Sequence, residues 1–216
     1  MLFLDEAPEF HRDVLQSLRE PLEDHVISIA RAGQSFRYPA SFILLLAANP
    51  CPCGNLGRRD RACLCSIQEI ARYWRRLGNP LLDRVDIRVP VRPQSERDLL
   101  GPPGESLGCV RRRVIAARGR QAERNGGLPI ILNGRLTPAL LAERIELRPE
   151  ARKLLFAAAA KMDLSSRAIH SVIKVARTIA DLRGGDDIEG DDLLEAVQHR
   201  RFGDGNFYWE ENEKSS

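Results

Sequence analysis

Two uninterrupted apolar runs constrain the fold of this 216-residue chain more than any other feature of its sequence. MLFL at residues 1–4 stops at Asp5-Glu6, and FILLLAA at residues 42–48 stops at Asn49-Pro50. Short apolar runs with polar stops predict buried strands of the kind that build parallel sheets. Between them, Phe10, Val14, Leu15, Leu18 and Leu22 recur at helical spacing, which predicts a helix over 9–23 that Pro21 bends or ends. Residues 26–29 and 35–38 flank a turn over 30–34 that contains Gly33, a hairpin pattern. Ser66-x-x-Glu69 reads as a capping box opening a further helix. Val85, Ile87, Val89 and Val91 alternate with Asp86, Arg88 and Pro90, which predicts a third strand near an edge. Beyond Ser95 the pattern is helical, with segments over 106–124, 138–145, 149–162, 166–183 and 190–201, and a turn at Gly101-Pro102-Pro103-Gly104. The expected architecture is an α/β piece over 1–92, a helical domain over 93–203 and an acidic tail over 204–216 around Phe207-Tyr208-Trp209.

Composition excludes several classes. With 43% hydrophobic and 29% charged residues, the chain is neither disordered nor of low complexity. No apolar run approaches ~18 residues and the start carries no basic, long-apolar leader, which argues against membrane spanning and secretion. Four of the five cysteines crowd between Cys51 and Cys65, which is not the dispersed framework of a disulfide-stapled secreted domain. A reducing, cytoplasmic setting is expected. There, Cys51-x-Cys53 and Cys63-x-Cys65 offer four thiols at short spacing, a set that suits structural Zn²⁺; free thiols or a redox pair are the alternatives. Cys109 sits in a helical stretch and is expected to pack, and the four histidines show no ligand spacing. The net charge is +3, yet arginines cluster over 58–76 and 111–124 while acids cluster over 1–24. Such stripes are either the footprint of a phosphate backbone or solvated helix faces.

Chemistry is carried by residues at the ends of the predicted elements. An apolar strand delivering Asp5 then Glu6 matches the way nucleotide hydrolases hold Mg²⁺ and polarise water. Asn49, ending the second strand, can orient water or simply cap the turn before Pro50. Arg84 precedes the third strand, where it either reaches a phosphate or pairs locally with Asp83 or Asp86. Arg167 lies in the first turn of a helix opened by Ser165, a poor place for a cation unless an anion lies there.

In this order the four elements resemble the second half of an AAA+ ATPase: Walker B at Asp5-Glu6, sensor 1 at Asn49, an arginine finger at Arg84 and sensor 2 at Arg167. LREPLED, the hairpin, AANPCPCG, the second CxC pair, ARYWRRL and GNPLLDRVDIRV resemble the magnesium-chelatase branch, and within it the ComM/YifB competence-related subfamily, from residue 1 to about 202. The resemblance implies a partial P-loop NTPase core, with a parallel-sheet remnant and a pre-sensor-1 hairpin, followed by an all-α lid bundle. It implies a hexameric, ATP-driven ring acting as a DNA helicase in branch migration. Asp5 would hold Mg²⁺, Glu6 would activate water, Asn49 would position it, Arg84 would act on a neighbouring subunit's ATP, and Arg167 would sense the γ-phosphate. Arg31 and Arg37 of the hairpin would contact DNA, with Arg58, Arg59 and Arg61 on the zinc loop.

One departure bears on all of this. No Gly-x-x-x-x-Gly-Lys-Ser/Thr occurs in the sequence, so the part that cradles the β- and γ-phosphates is missing. A truncated reading frame, a misassigned start or a deliberate fragment is expected, with no ATP hydrolysis by this chain alone and with sheet edges left unprotected. The competing expectation is a non-catalytic, zinc-containing nucleic-acid-binding or ring-interaction module.

Overall fold

The computed structural model describes residues 1–31, 33–58, 60–91, 100–126 and 132–200. The chain divides into two compact units, the first taking in Met1–Val85 and the second Asp86–Arg201. The expected acidic tail over 204–216 and Arg59 lie outside the described residues.

In the first unit, β1 (Leu2–Leu4) pairs in parallel with β4 (Leu44–Leu46), with Leu2 opposite Leu44 and Leu4 opposite Leu46. Parallel neighbours need a crossover, and it is made by α1 (Arg12–Ser17), α2 (Arg19–Asp24) and a hairpin. The predicted single helix over 9–23 is broken at Leu18. Pro21 has no N–H to donate to the Ser17 carbonyl and its ring crowds that position, so α2 restarts with the proline in its first turn. Leu4, Ala7, Leu15, Leu77, Leu81 and Leu82 form the core, with Leu2, Leu44 and Leu46 packed on it. The opposite face of the strand pair is open: Phe3 is 57% and Leu45 44% exposed. The two strands are thus covered on one face rather than both.

The hairpin joins β2 (Val26–Arg31) to β3 (Gln34–Pro39) with Arg31 opposite Gln34, so the turn is two residues rather than four or five. Gly33 takes φ +79°, a value a two-residue hairpin loop needs and glycine adopts without strain. Helix α3 (Ile67–Arg75) starts with the predicted capping box: Ser66 N–H donates to Glu69 Oε2 at 2.8 Å and the Glu69 N–H to Ser66 Oγ at 3.3 Å. A short α4 (Asn79–Leu82) follows. The predicted strand over 85–91 does not form. Its alternation finds no partner strand among the described residues, Pro90 lacks a donor, and Arg88 N–H instead donates to the His199 carbonyl at 3.0 Å.

The second unit is an all-α bundle of α5 (Leu107–Arg124), α6 (Pro138–Arg144), α7 (Pro149–Lys161), α8 (Ser166–Arg183) and α9 (Gly190–Gln198). Ser106, Thr137 and Ser165 cap their helices by accepting the N–H three residues on. Leu136, Leu155, Val172, Ile188 and Leu193 are the centre of its core. Beside it lies a polar knot that hydropathy does not reveal. Asp181 is fully buried and accepts from Arg124, from Arg177 Nε at 3.1 Å and from Asn133 Nδ2 at 2.9 Å. Replacing Asp181 by alanine would leave two guanidinium groups facing each other without their counter-charge. We expect Asp181→Ala to destabilise the bundle by about 3–5 kcal/mol, measured by urea unfolding followed by circular dichroism; a loss under about 1 kcal/mol would show that the pair is solvated.

Candidate metal centre and acidic strand tip

Among its described residues the loop from Asn49 to Ser66 has no regular secondary structure, yet it brings four sulfurs together. Cys51 Sγ lies 3.4 Å from Cys53 Sγ and 3.6 Å from Cys63 Sγ, Cys53 and Cys63 are 3.6 Å apart, and all four ligand atoms, Cys65 included, lie within 4.8 Å of one another. Tetrahedral thiolates around Zn²⁺, with bonds of about 2.3 Å, sit about 3.8 Å apart. A disulfide brings its sulfurs to about 2.0 Å, and all the cysteines are free. The donor set therefore fits a metal ion such as zinc.

Local geometry makes the pocket. Gly54, at φ +73°, turns the chain so that its N–H donates to the Cys51 carbonyl at 3.0 Å, and Leu56 N–H donates to Cys51 Sγ at 3.4 Å. Cys51 is fully buried, whereas Cys53 is exposed. The Asn55 backbone N–H, followed by the Cys51 thiol, lowers the Cys53 pKa to about 6. Burial, aided by hydrogen bonds from Cys51 and Cys53, pushes Cys63 up to about 12. Four thiols this close cannot all ionise unless a cation is among them. The loop's arginines are partly neutralised: Arg58 makes a two-pronged pair with Asp60 at 2.9 and 2.7 Å, and Arg61 lies 3.9 Å from the same carboxylate.

The parallel register puts the C-terminal tips of β1 and β4 side by side, and with them Asp5-Glu6 and the turn that carries Asn49. Ala47 N–H donates to the Leu4 carbonyl at 2.9 Å and Ala7 N–H to the Ala47 carbonyl at 2.8 Å, so the pairing continues past the strands. All three polar side chains are exposed. Glu6 takes φ 48°, ψ 44°, a left-handed conformation that a non-glycine residue holds at a cost of about 1–3 kcal/mol, and its N–H donates to Asp5 Oδ1 at 3.0 Å. Strain of this kind gathers at sites where a side chain has to point one way.

The other sequence candidates are placed as follows. Arg84 is not paired with Asp83 or Asp86 through any bond described. Its side chain is 10% exposed, its Nη2 lies 2.5 Å from Glu23 Oε2 and its Nη1 donates to the Pro80 carbonyl. Asp86 instead accepts from Ser171 Oγ at 2.5 Å. Arg167 is exposed in the first turn of α8, close enough to Lys174 to help lower that amine's pKa, which burial depresses first. Arg31 and Arg37 share the hairpin but not a face, because Arg31 lies opposite Gln34 while Arg37 lies opposite Ser28, three positions away. Cys109 is half-buried and accepts from Arg112 Nη2 at 3.0 Å.

Sequence reading missed Trp74 and Arg76, which tie the end of α3 to both strand tips, and Tyr73, which is buried with its ring edge-on to Trp74 at 6.1 Å. Trp74 Nε1 donates to the Pro50 carbonyl at 3.1 Å, and Arg76 Nη1 to the Pro8 carbonyl at 3.3 Å and Glu9 at 2.8 Å. The signal was present: a Tyr-Trp pair in the last turn of a short capped helix is a large apolar investment for nine residues.

A small parallel remnant with a protruding hairpin and a following helical bundle defines a partial AAA+-like core with a helical lid. Residues 1–99 match the family described as magnesium chelatase, subunit ChlI, and residues 104–200 its C-terminal counterpart. Over 203 residues the chain is 41% identical to "Competence protein ComM" of Haemophilus influenzae, covering 93% of this chain and 38% of that protein. It is 39% identical over the same length to "Uncharacterized protein YifB" of Escherichia coli, covering 93% and 39%. The chain belongs to the magnesium-chelatase-like ComM/YifB family, and it spans about two fifths of the length of the curated relatives it matches.

The thiol chemistry can be checked directly. In metal-stripped protein at pH 7, Cys53, with a pKa of about 6, is mainly thiolate and Cys63 almost wholly thiol. Iodoacetamide labelling read by mass spectrometry should mark Cys53 first, about tenfold more slowly at pH 5, and none of the four once zinc is restored. Equal labelling of Cys53 and Cys63 would contradict the geometry.

Proposed function

We propose that this chain is a non-catalytic, zinc-containing nucleic-acid-binding or ring-interaction module of a ComM-like protein, with nucleic-acid binding the role developed below, working in a reducing, cytoplasmic setting. The observation that carries the reading is the cluster of Cys51, Cys53, Cys63 and Cys65 at ligand spacing. Zinc, when bound, would close the 51–65 loop, which has little apolar core of its own, by cross-linking four points of it. The nucleic-acid partner is DNA, and its candidate contact is the exposed hairpin. Residues 26–39 carry Arg31 and Arg37 and no acidic residue, and neither arginine has an ion-pair partner among the described residues. The two arginines, on opposite faces, would contact separate phosphates rather than clamp one.

Two measurements test this. Protein purified without chelator should hold about one zinc per chain by elemental analysis, and Cys63→Ser should lose it; metal-free wild type would end the reading. In anisotropy titrations with a single-stranded oligonucleotide, Arg31→Ala and Arg37→Ala should each reduce the slope of log K against log salt by about 0.7. Unchanged slopes would take the hairpin out of the interface.

A second reading is favoured by the adjacent strand tips. It makes the chain the sensing part of a hexameric ATP motor for DNA branch migration in natural transformation. Asp5 would hold Mg²⁺, Glu6 would take the proton of an attacking water, Asn49 would orient that water, and Arg167 would meet the γ-phosphate. Mg²⁺ and ATP, when bound, supply the electrophile and the charge neutralisation around it. Arg84 would act in trans on a neighbour's phosphate, which requires release from Glu23. In protein that also carries the phosphate-binding segment, Glu6→Gln should lower kcat by about 10²-fold or more while leaving ATP binding intact. Unchanged turnover would leave the module reading alone.

A further inference from the structure

The hairpin carries more chemistry than its two arginines. Side chains directly opposite each other in an antiparallel pair share a face, and faces alternate along each strand. The register sets Ile27 opposite Tyr38, Ile29 opposite Phe36 and Arg31 opposite Gln34 on one face. Ser28 opposite Arg37 and Ala30 opposite Ser35 lie on the other. One side of the ladder is thus apolar and aromatic with an arginine at its turn end, and the other is mostly small and polar.

The apolar side is not a core. Phe36 is 44% and Tyr38 53% exposed, and Ile27 and Ile29 are similarly open to water. Neither ring meets another aromatic ring among the described residues. Cross-strand pairing of an aromatic with a β-branched residue steadies a hairpin, which accounts for Ile27 with Tyr38 and Ile29 with Phe36. It does not account for four large apolar side chains in a row on the wet side of a two-stranded element. The charge around the face selects its occupant. Residues 26–39 hold no acid, and neither Arg31 nor Arg37 has an ion-pair partner among the described residues. An apolar protein surface offers such arginines nothing, whereas each nucleotide of a single strand presents both a π-face and a phosphate. Spacing agrees. Alternate residues of a strand lie about 6.8 Å apart, about twice the 3.4 Å step along one strand of a duplex. Two rings at that pitch can each take a base only from a strand that has left the stack.

We propose that this face of the hairpin is a stacking platform for single-stranded DNA. Phe36 and Tyr38 each receive the face of one unpaired base, the isoleucines widen the platform beside them, and Arg31 meets the phosphate beyond Phe36. Arg37, on the reverse side, adds charge without touching the stacked bases. The inference rests on the reading of the hairpin as a DNA contact and adds what is recognised: base faces of any sequence, rather than backbone alone.

The test follows the whole chain by anisotropy with three labelled probes of one length: oligothymidylate, the same strand with abasic sugars, and a duplex. Wild type should bind oligothymidylate about a hundredfold tighter than the abasic strand, one factor of about ten for each ring. Phe36→Leu and Tyr38→Leu keep an apolar residue in the ladder, and each should weaken oligothymidylate binding about tenfold. Their affinities for the abasic strand and the duplex, and their slopes of log K against log salt, should stay as in wild type. Tyr38→Phe should bind as wild type does, because the ring and not the hydroxyl is used. Equal wild-type affinity for oligothymidylate and the abasic strand, a comparison that needs no variant to fold, overturns this inference alone. Leucine variants with undiminished affinity do the same, and if they also lose self-association in sedimentation the face belongs to a second copy of the chain. Salt slopes unchanged in both Arg31→Ala and Arg37→Ala overturn the hairpin reading and this inference with it.

Discussion

Three residues of parallel pairing decide which polar side chains of the first unit can meet. Antiparallel strands would have put Asp5-Glu6 and Asn49 at opposite ends of the sheet; parallel register puts both at one edge. The pairing is short, and what holds it is burial beneath it. Leu2, Leu4, Leu44 and Leu46 alternate inward onto Leu15, Leu77 and Leu81, while Phe3 and Leu45 face outward. Each inward leucine is worth roughly 1.5–3 kcal/mol on full burial, so the alignment of the tips depends on one apolar face of a two-stranded sheet. The position of every candidate residue in this unit follows from that face.

The thiol loop is the complementary case, a segment with almost no apolar core. Cys51 is its one fully buried cysteine, and the remaining contacts are turn hydrogen bonds and a two-pronged Arg58–Asp60 pair. Exposed ion pairs contribute little, and the loop spends two left-handed glycines, Gly54 and Gly57, on its turns. Such a loop is stable when something ties its ends, and four sulfurs at a spacing that fits a metal ion would supply that tie once an ion is held there. Trp74 joins the start of the loop to the packed part of the unit through the Pro50 carbonyl.

How much of this is readable from the sequence follows from the range of each interaction. The helices of the bundle were legible almost to the residue, because caps such as Ser106, Thr137 and Ser165 act on N–H groups three positions away. The four cysteines were legible for the same reason of proximity. The strand over 85–91 was misread, because alternation marks a strand only where a neighbouring strand exists to receive it. The break at Leu18 was hidden by a good apolar period, although Pro21 announced it. Least legible were pairs distant in sequence: Arg84 with Glu23, Arg76 with Glu9, and Asp181 with Arg124. Charge type is visible in a sequence, but the choice among many possible partners is made by packing.

Arg84 shows why that choice matters for function. As an arginine ahead of an alternating segment it has the chemistry of a phosphate clamp, and its resting partner is a carboxylate of its own chain. Its guanidinium is mostly buried, shared between Glu23 and the Pro80 carbonyl, whereas Glu23 is 37% exposed. Separating them strands the arginine more than the carboxylate, because water can take over for Glu23 but not for a donor set nine-tenths covered. An incoming group can draw Arg84 out only by offering more charge and a matching fork of acceptors. A polyphosphate does so, since it carries several acceptor oxygens and more than one negative charge, while a lone carboxylate on another protein merely equals what is already there. On the proposal that Arg84 meets a neighbour's phosphate, Glu23 would filter what the arginine can respond to, through the pairing the two already make in the first unit.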